Sequence, residues 1–287
     1  MIEVSHVTKA YGTHRAVENL SFTLEEGKIY GLLGPNGAGK STTMNIMTGY
    51  LAASDGSVRI NGCDILLDAV RAKAQIGYLP EIPPLYKDMT VLEYLFFAAE
   101  LKRIPKALRR EQVLSAIEKT KLTDYRERLI RNLSKGYQQR TGLAQAILGE
   151  PKIMILDEPT VGLDPHQIIE VRELIRSFRE GHIVILSSHI LSEISEVCDE
   201  ILIISGGRLI AQGSIAELEE RFGKEDSLRL SLKRDGSADF DERVQKALTD
   251  AGFRPTLSRA HGAVLEEIFL RITEQAALHA ESGETDA

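Results

Sequence analysis

Residues 28–42, KIYGLLGPNGAGKST, constrain the fold more than any other part of this sequence. Apolar residues run without alternation into a glycine cluster, which reads as a buried strand feeding a tight loop. The loop fits G-x-x-x-x-G-K-[ST] in full, and a helical pattern follows it. Strand, loop and helix in that order predict an anion cradle. Gly37 and Gly39 let consecutive backbone N–H groups converge on one point. A helix starting near Lys40 adds its positive end. Lys40 supplies a full charge to terminal phosphates, and Ser41 offers a hydroxyl to Mg²⁺. The run Asn36, Gly37, Ala38, Gly39, Lys40, Ser41 and Thr42 is the expected phosphate-binding set.

The rest of the chain sets the class in which this loop works. It has 287 residues, 43% of them hydrophobic, which suits one large domain or two smaller ones. A net charge of −7 argues against a nucleic-acid binder, which carries a basic face. Cys63 and Cys198 lie far apart without metal-ligand spacing, as reduced thiols in a cytosolic protein would. The start, MIEVSHVTKAYG, has no charged-then-apolar leader. The most apolar stretch, VLEYLFFAAEL, is short and carries Glu93, so it cannot span a bilayer. Docking on a protein that does span one stays open.

Strand and helix signals alternate. IEVSHV and SFTL read as half-buried strands, KIMILDEP and HIVILSSH as buried ones. Between the latter two, PHQIIEVRELIRSFREG is an amphipathic helix closed by Gly181. From about Met89 to Leu148 the spacing is helical, as in Leu92, Leu95, Phe96 and Ala99. EILIISGGRLIAQGS reads as two strands joined through Gly206-Gly207. The pattern predicts an α/β sheet covered on both faces. Beyond Gly213 the character changes: SLRLSLKRDG alternates like an edge strand, Val244, Ala247, Leu248 and Ala251 make a helical stripe, AVLEEIFLRITEQAAL is a further helix, and AESGETDA is a frayed end. Residues 221–287 are therefore expected to form a small α+β appendage to a domain spanning 1–220.

IMILDEP places Asp157 and Glu158 at the carboxyl end of a buried strand, where ligands bind in open α/β sheets. Asp157 can hold Mg²⁺ through water. Glu158 is placed to orient or deprotonate an attacking water. His189, just after IVILSS, again ends a strand, and its position favours contact with a γ-phosphate.

GPNGAGKST, LSKGYQQR, ILDEPTVGLDP and LSSH, in this order and spacing, resemble the nucleotide-binding subunit of an ABC transporter. The resemblance covers residues 1 to about 220. It implies a P-loop NTPase (RecA-like) core, an N-terminal antiparallel β-subdomain and a helical subdomain at about 85–150. It also implies that two subunits pack head to tail, with each ATP between the phosphate loop of one and the Leu-Ser-x-Gly helix start of the other. Ser134, Lys135 and Gly136 would then serve the nucleotide of the opposite chain. The hydroxyl of Ser134, the open N–H of Gly136 and the helix N-terminus all suit an arriving γ-phosphate, although Ser134 also suits a plain N-cap. Asp164 would lie at the dimer seam. Tyr11 matches the aromatic residue on which adenine stacks, with Val17 as its apolar neighbour. Catalysis would fall to Glu158, His189 and Lys40, with ATP and Mg²⁺ bound and Ser41, Asp157 and Glu81 as the metal's ligands.

Two positions depart from the family pattern. Glu81 stands where many members have Gln; a carboxylate still ligates Mg²⁺ but adds negative charge near the γ-phosphate. LSKGY replaces the commoner LSGGQ, and Lys135 either faces the opposite ATP or points to solvent. With GYLPEIPPLYKDMTVLEYL and LEEIFLRIT, the chain is similar to the single-domain ATPases of ABC-2-type exporters, among them bacterial drug, gliding-motility and sodium-efflux types. That implies a partner of integral membrane permease subunits and a place on the cytoplasmic face of the membrane. Its rivals are a non-transport ABC ATPase of translation or DNA repair, a small-metabolite kinase with a phosphate loop, and an idle regulatory subunit.

Overall fold

The computed structural model describes residues 1–222 and 239–252. Strands β1 (Ile2–Tyr11) and β2 (His14–Leu24) form an antiparallel hairpin, and β3 (Lys28–Leu33) runs through the glycine loop into α1 (Lys40–Met47). Next come β4 (Asp55–Ile60), β5 (Cys63–Asp64), α2 (Ala69–Lys73) and β6 (Ile76–Leu79). The helices α3 (Val91–Leu101), α4 (Lys106–Lys119) and α5 (Lys135–Ile147) follow, with two short 3₁₀ turns between α4 and α5. The chain then alternates through β7 (Ile153–Asp157), α6 (Pro165–Ser177), β8 (Ile183–Ser188) and α7 (Leu191–Val197) to the hairpin β9 (Glu200–Ser205) and β10 (Arg208–Gly213). Helices α8 (Ile215–Phe222) and α9 (Phe240–Asp250) complete the described residues.

Two sheets result. The first is antiparallel in the order β2-β1-β4-β5; the second runs β10-β9-β3-β8-β7-β6 and is parallel except for the β9/β10 hairpin. Every residue of β7 and β8 is buried, as strands covered on both faces require. Alternation divides them: Met154, Leu156, Val184 and Leu186 face the core shared with the helices, while Ile153, Ile155, Ile183 and Ile185 face the core shared with the antiparallel sheet. Gly31 of β3 lies under α7, where an added Cβ would sit 2.6 Å from Cγ2 of Ile194, so helix and strand approach this closely only with glycine there.

Local chemistry explains the helix ends. Thr90 and Glu93 form a reciprocal capping box at the start of α3. Lys102 donates to the carbonyls of Gln145, Ala146 and Leu148 at 2.7, 3.0 and 2.8 Å, which satisfies the end of α5. One expectation needs correcting. α6 ends at Ser177, capped at Phe178; Gly181, at φ 74°, turns the chain into β8 and does not close the helix. The Val244–Ala251 stripe falls on α9 and its cap, whereas the expected strand at 227–236 and helix at 263–278 lie outside the described residues.

A mixed-sign cluster ties the helices at 91–147 to the parallel sheet's own layer. Glu170 of α6 accepts from Arg140 of α5 and, at 2.7 Å, from Lys121. Lys121, and then Arg140, hold the Glu170 carboxyl down at about 2. The side chain of Arg140 is only 5% exposed, so losing its partner leaves a buried charge. Glu170→Gln is expected to cost about 2 kcal/mol of unfolding free energy near neutral pH. Because the folded value is depressed, this stabilisation is present above the ordinary carboxylate value and fades as pH falls through it toward about 2. Urea unfolding of both proteins from about pH 7 down to about pH 3 checks it: the gap should shrink with acidity, and a constant gap contradicts the assignment.

Candidate functional site

The parallel register brings four strand ends level. Leu33 of β3 pairs with Ser188 of β8, Ser187 pairs with Asp157 of β7, and Leu156 pairs with Leu79 of β6. The glycine loop, His189, Glu158 and Glu81 each follow one of these ends. They border a cavity of about 520 Å³.

The loop floor is built by close backbone contacts. Gly39 N-caps α1 at φ 104°, a conformation open to glycine, and a Cβ there would lie 2.5 Å from the carbonyl oxygen of Ala16 on β2. Asn36, Gly37, Gly39, Lys40, Ser41 and Thr42 line the cavity. Ala38 does not: it is buried, its N–H donates to the Pro35 carbonyl at 3.1 Å, and its carbonyl accepts from Gly207. The Lys40 ammonium folds back to donate to the carbonyls of Gly34 at 2.7 Å and Pro35 at 3.2 Å. Burial pushes its pKa down, opposed by the charges of Glu158 and Asp157.

The carboxylates divide by position. Asp157 is buried behind the wall, accepting from the Ser187 hydroxyl at 2.6 Å. That hydroxyl also accepts from the Glu158 N–H at 3.0 Å. Glu158 borders the cavity with φ 49°, an unusual conformation for a residue with a side chain. Its Oε2 lies 3.0 Å from Nδ1 of His189. Burial raises the Glu158 pKa, and the hydrogen bond to His189 opposes the rise. A buried carboxyl beside an imidazole at the rim of an anion cradle is equipped to hold a water and take its proton.

The other wall comes from the antiparallel sheet. Tyr11 is 50% exposed and borders the cavity, with the Lys9 ammonium 5.4 Å from its ring centroid. Val17 does not reach it. Fully buried under the loop, it packs at Gly39, and Ala16 takes the lining position. Strand alternation decides this: successive residues of β2 face opposite sides. His14 and Val161 also line the cavity and were not expected from sequence. His14 sits three residues after Tyr11 at the hairpin turn, the one local signal that could have suggested it.

Glu81 is exposed on the cavity wall. Among the described residues no three His, Cys, Asp or Glu side chains cluster as a ready-made metal site. Ser41 and Glu81 supply hard oxygen donors on the wall, and Asp157 lies one layer behind.

Ser134, Lys135, Gly136 and Asp164 do not border the cavity of their own chain. Instead they gather around the starts of α5 and α6. Ser134 N-caps α5 by accepting from the Tyr137 N–H, and Asp164 N-caps α6 by accepting from the Gln167 N–H at 2.9 Å. Ser134 and Lys135 are exposed, whereas Gly136 is buried. A Cβ on Gly136 would sit 2.3 Å from Oε1 of Gln167, the movable end of a flexible side chain, and 3.1 Å from Cδ2 of Leu163, so the chain's own packing crowds this position.

Comparison with known proteins agrees with this construction. The model of the ABC transporter family matches residues 17–161. The linearmycin resistance ATP-binding protein LnrL of Bacillus subtilis is 31% identical over 280 residues, covering 97% of this chain and 86% of its own. The lantibiotic transport ATP-binding protein SrtF of Streptococcus pyogenes is 36% identical over 230 residues, covering 78% and 97%. A solved ATP-binding subunit of an ABC transporter superposes with a TM-score of 0.72 at 30% identity, covering 78% of this chain and 93% of that one. The dimeric ATP-binding cassette MJ0796, bound to ADP and Pi, shares the fold at a TM-score of 0.69 and 24% identity, covering 75% and 99%. Cradle, carboxylates and relatives agree: the chain belongs to the ABC transporter family, as an ATP-hydrolysing nucleotide-binding subunit.

Proposed function

We propose that this chain forms half of a head-to-tail dimer that closes on two ATP molecules and drives a separate membrane permease of the ABC-2 export type. One observation carries the reading. The cavity gathers the phosphate loop, Glu81, Glu158 and His189 of one chain, while the exposed start of α5, with Ser134 and Lys135, lies outside it and presents the positive end of a helix to something else. A nucleotide seated on the loop supplies the anion that such a helix end takes. Closure is then a population shift, because each nucleotide gives one chain contacts that exist only when the other arrives.

Within that scheme the residues divide the work. Adenine stacks on Tyr11. The loop N–H groups and Lys40 take the phosphates, with the ammonium leaving its two carbonyl partners as it does so. Ser41 and Glu81 would hold Mg²⁺, with Asp157 one layer behind acting through water; Mg²⁺ binds with few carboxylates and several waters. Bound there, it would supply positive charge against that of the phosphates. Glu158 orients the attacking water and accepts its proton, and His189 contacts the γ-phosphate. The names of LnrL and SrtF, resistance and transport proteins, support export. No helix among the described residues is long and apolar enough to cross a membrane, which fits a separate permease partner and attachment at the cytoplasmic face. The segment after Glu81, with Ile82 82% and Tyr86 56% exposed on either side of the stiffening Pro83 and Pro84, is the surface offered to it.

Three outcomes are expected. Glu158→Gln should still bind ATP while its turnover drops by about 100-fold or more; unchanged turnover removes Glu158 from the chemistry. Ser134→Arg and Lys40→Ala should each be inactive alone, yet their mixture should regain turnover from one composite site; a mixture as dead as its parts contradicts the shared site. Finally, burial of Glu158 should lift the acid limb of kcat/KM above the ordinary carboxylate range, since the residue must be ionised to accept a proton. A limb within that range would mean that another group takes the proton.

A further inference from the structure

One layer behind the cavity, Glu193 of α7 is 95% shielded from solvent, being only 5% exposed. A single oxygen, Oε2, accepts from the Thr160 hydroxyl at 2.7 Å and from the Ser188 hydroxyl at 2.9 Å. Its other oxygen, Oε1, lies 3.8 Å from the Arg172 guanidinium. Thr160 is two residues beyond Glu158, with Pro159 between them fixing the backbone. Ser188 directly precedes His189, and its oxygen also accepts from the Ile190 N–H at 3.0 Å. Because Glu158 meets His189 at 3.0 Å, the contacts close a ring: Glu158, Thr160, Glu193, Ser188, His189 and back to Glu158.

A buried carboxyl is costly, and an apolar group would fill the same space at less cost. Each hydroxyl has one proton to give, and both give it to the same oxygen. Glu158 also holds a strained backbone at φ 49°, which persists only where its surroundings over-determine it. The Thr160 anchor supplies that restraint from one side and Ser188 from the other.

We propose that Glu193 is a positioning residue for hydrolysis. It touches neither nucleotide nor water, and it sets the distance between Glu158 and His189 by holding the two segments that carry them. The inference rests on the roles given above to those two residues. Steady-state and single-turnover ATP hydrolysis by the full chain test it. Glu193→Ala should lower kcat about tenfold or more while KM changes less than about threefold, since positioning and not binding is lost. Glu193→Gln keeps a carbonyl oxygen that accepts from both hydroxyls and should retain kcat within about threefold. In a His189→Ala background, Glu193→Ala should cost clearly less than it does alone, because the Glu158–His189 distance it sets has lost one of its ends and only the hold on Glu158 is left to lose. Losses that multiply in the double variant, or a normal kcat per folded Glu193→Ala molecule, overturn the proposal. If Glu193→Ala does not fold, Thr160→Val and Ser188→Ala each cut one arm and should lower kcat in the same way; normal rates in both overturn it. Should His189→Ala and Glu158→Gln themselves turn over normally, the roles of those two residues fail and the inference with them. If those two are impaired but Glu193→Ala is not, only the inference fails.

Discussion

Everything at this site depends on the parallel pairing of β3, β8 and β7. Their ladders hold Leu33, Ser188 and Asp157 at one edge, so that three loops distant in sequence leave the sheet side by side. Neither the glycine loop nor the carboxylates could act without that alignment. It is secured by burial on both faces: every residue of β7 and β8 is out of solvent, and a one-residue slip would drive each apolar side chain into the opposite core. This edge of the sheet thus inherits its precision from hydrophobic packing some distance away.

Against that frame the charges are arranged at some cost. Lys40, Asp157, Glu158 and Glu193 are all buried polar or charged groups in one small region. Each is satisfied by a named partner: Lys40 by two loop carbonyls, Asp157 by Ser187, Glu158 by His189, Glu193 by two hydroxyls. Burial pulls Lys40 down and pushes Glu158 up, each toward its neutral form; the raised carboxylate is the stronger base, while the charges of Glu158 and Asp157 hold Lys40 toward its ammonium form. Restraints of this kind stabilise a geometry more than they stabilise a fold.

Much of this was legible beforehand. The glycine loop, the strand ending in Asp157 and Glu158, and the β9/β10 hairpin through Gly206-Gly207 all rest on local rules of sequence, and the structure contains them where expected. The β4/β5 hairpin rests on a local signal as well, Asn61-Gly62, both with positive φ. Other points were not local. Val17 and Ala16 differ only in which face of β2 they occupy, and no residue nearby announces that the loop will pack on Val17. Gly136 fits an external phosphate on sequence grounds, yet the side chain of Gln167, thirty-one positions further on, already occupies the space beside it.

By itself, then, the sequence determined the kinds of chemistry present: a glycine loop shaped as an anion cradle, carboxylates at a strand's end, a capped helix start with a glycine in its first turn. These follow from backbone freedom, hydropathy and capping, which act over a few residues. Only the tertiary structure decided the company each group keeps. The sheet order β3-β8-β7-β6 skips through the chain, so the neighbours of Glu158 are Ser187 and His189, and the link through Glu193 joins segments that sequence separates by some thirty residues. Strand order is set by which apolar faces can be buried together, a balance over the whole core that no short stretch of residues encodes.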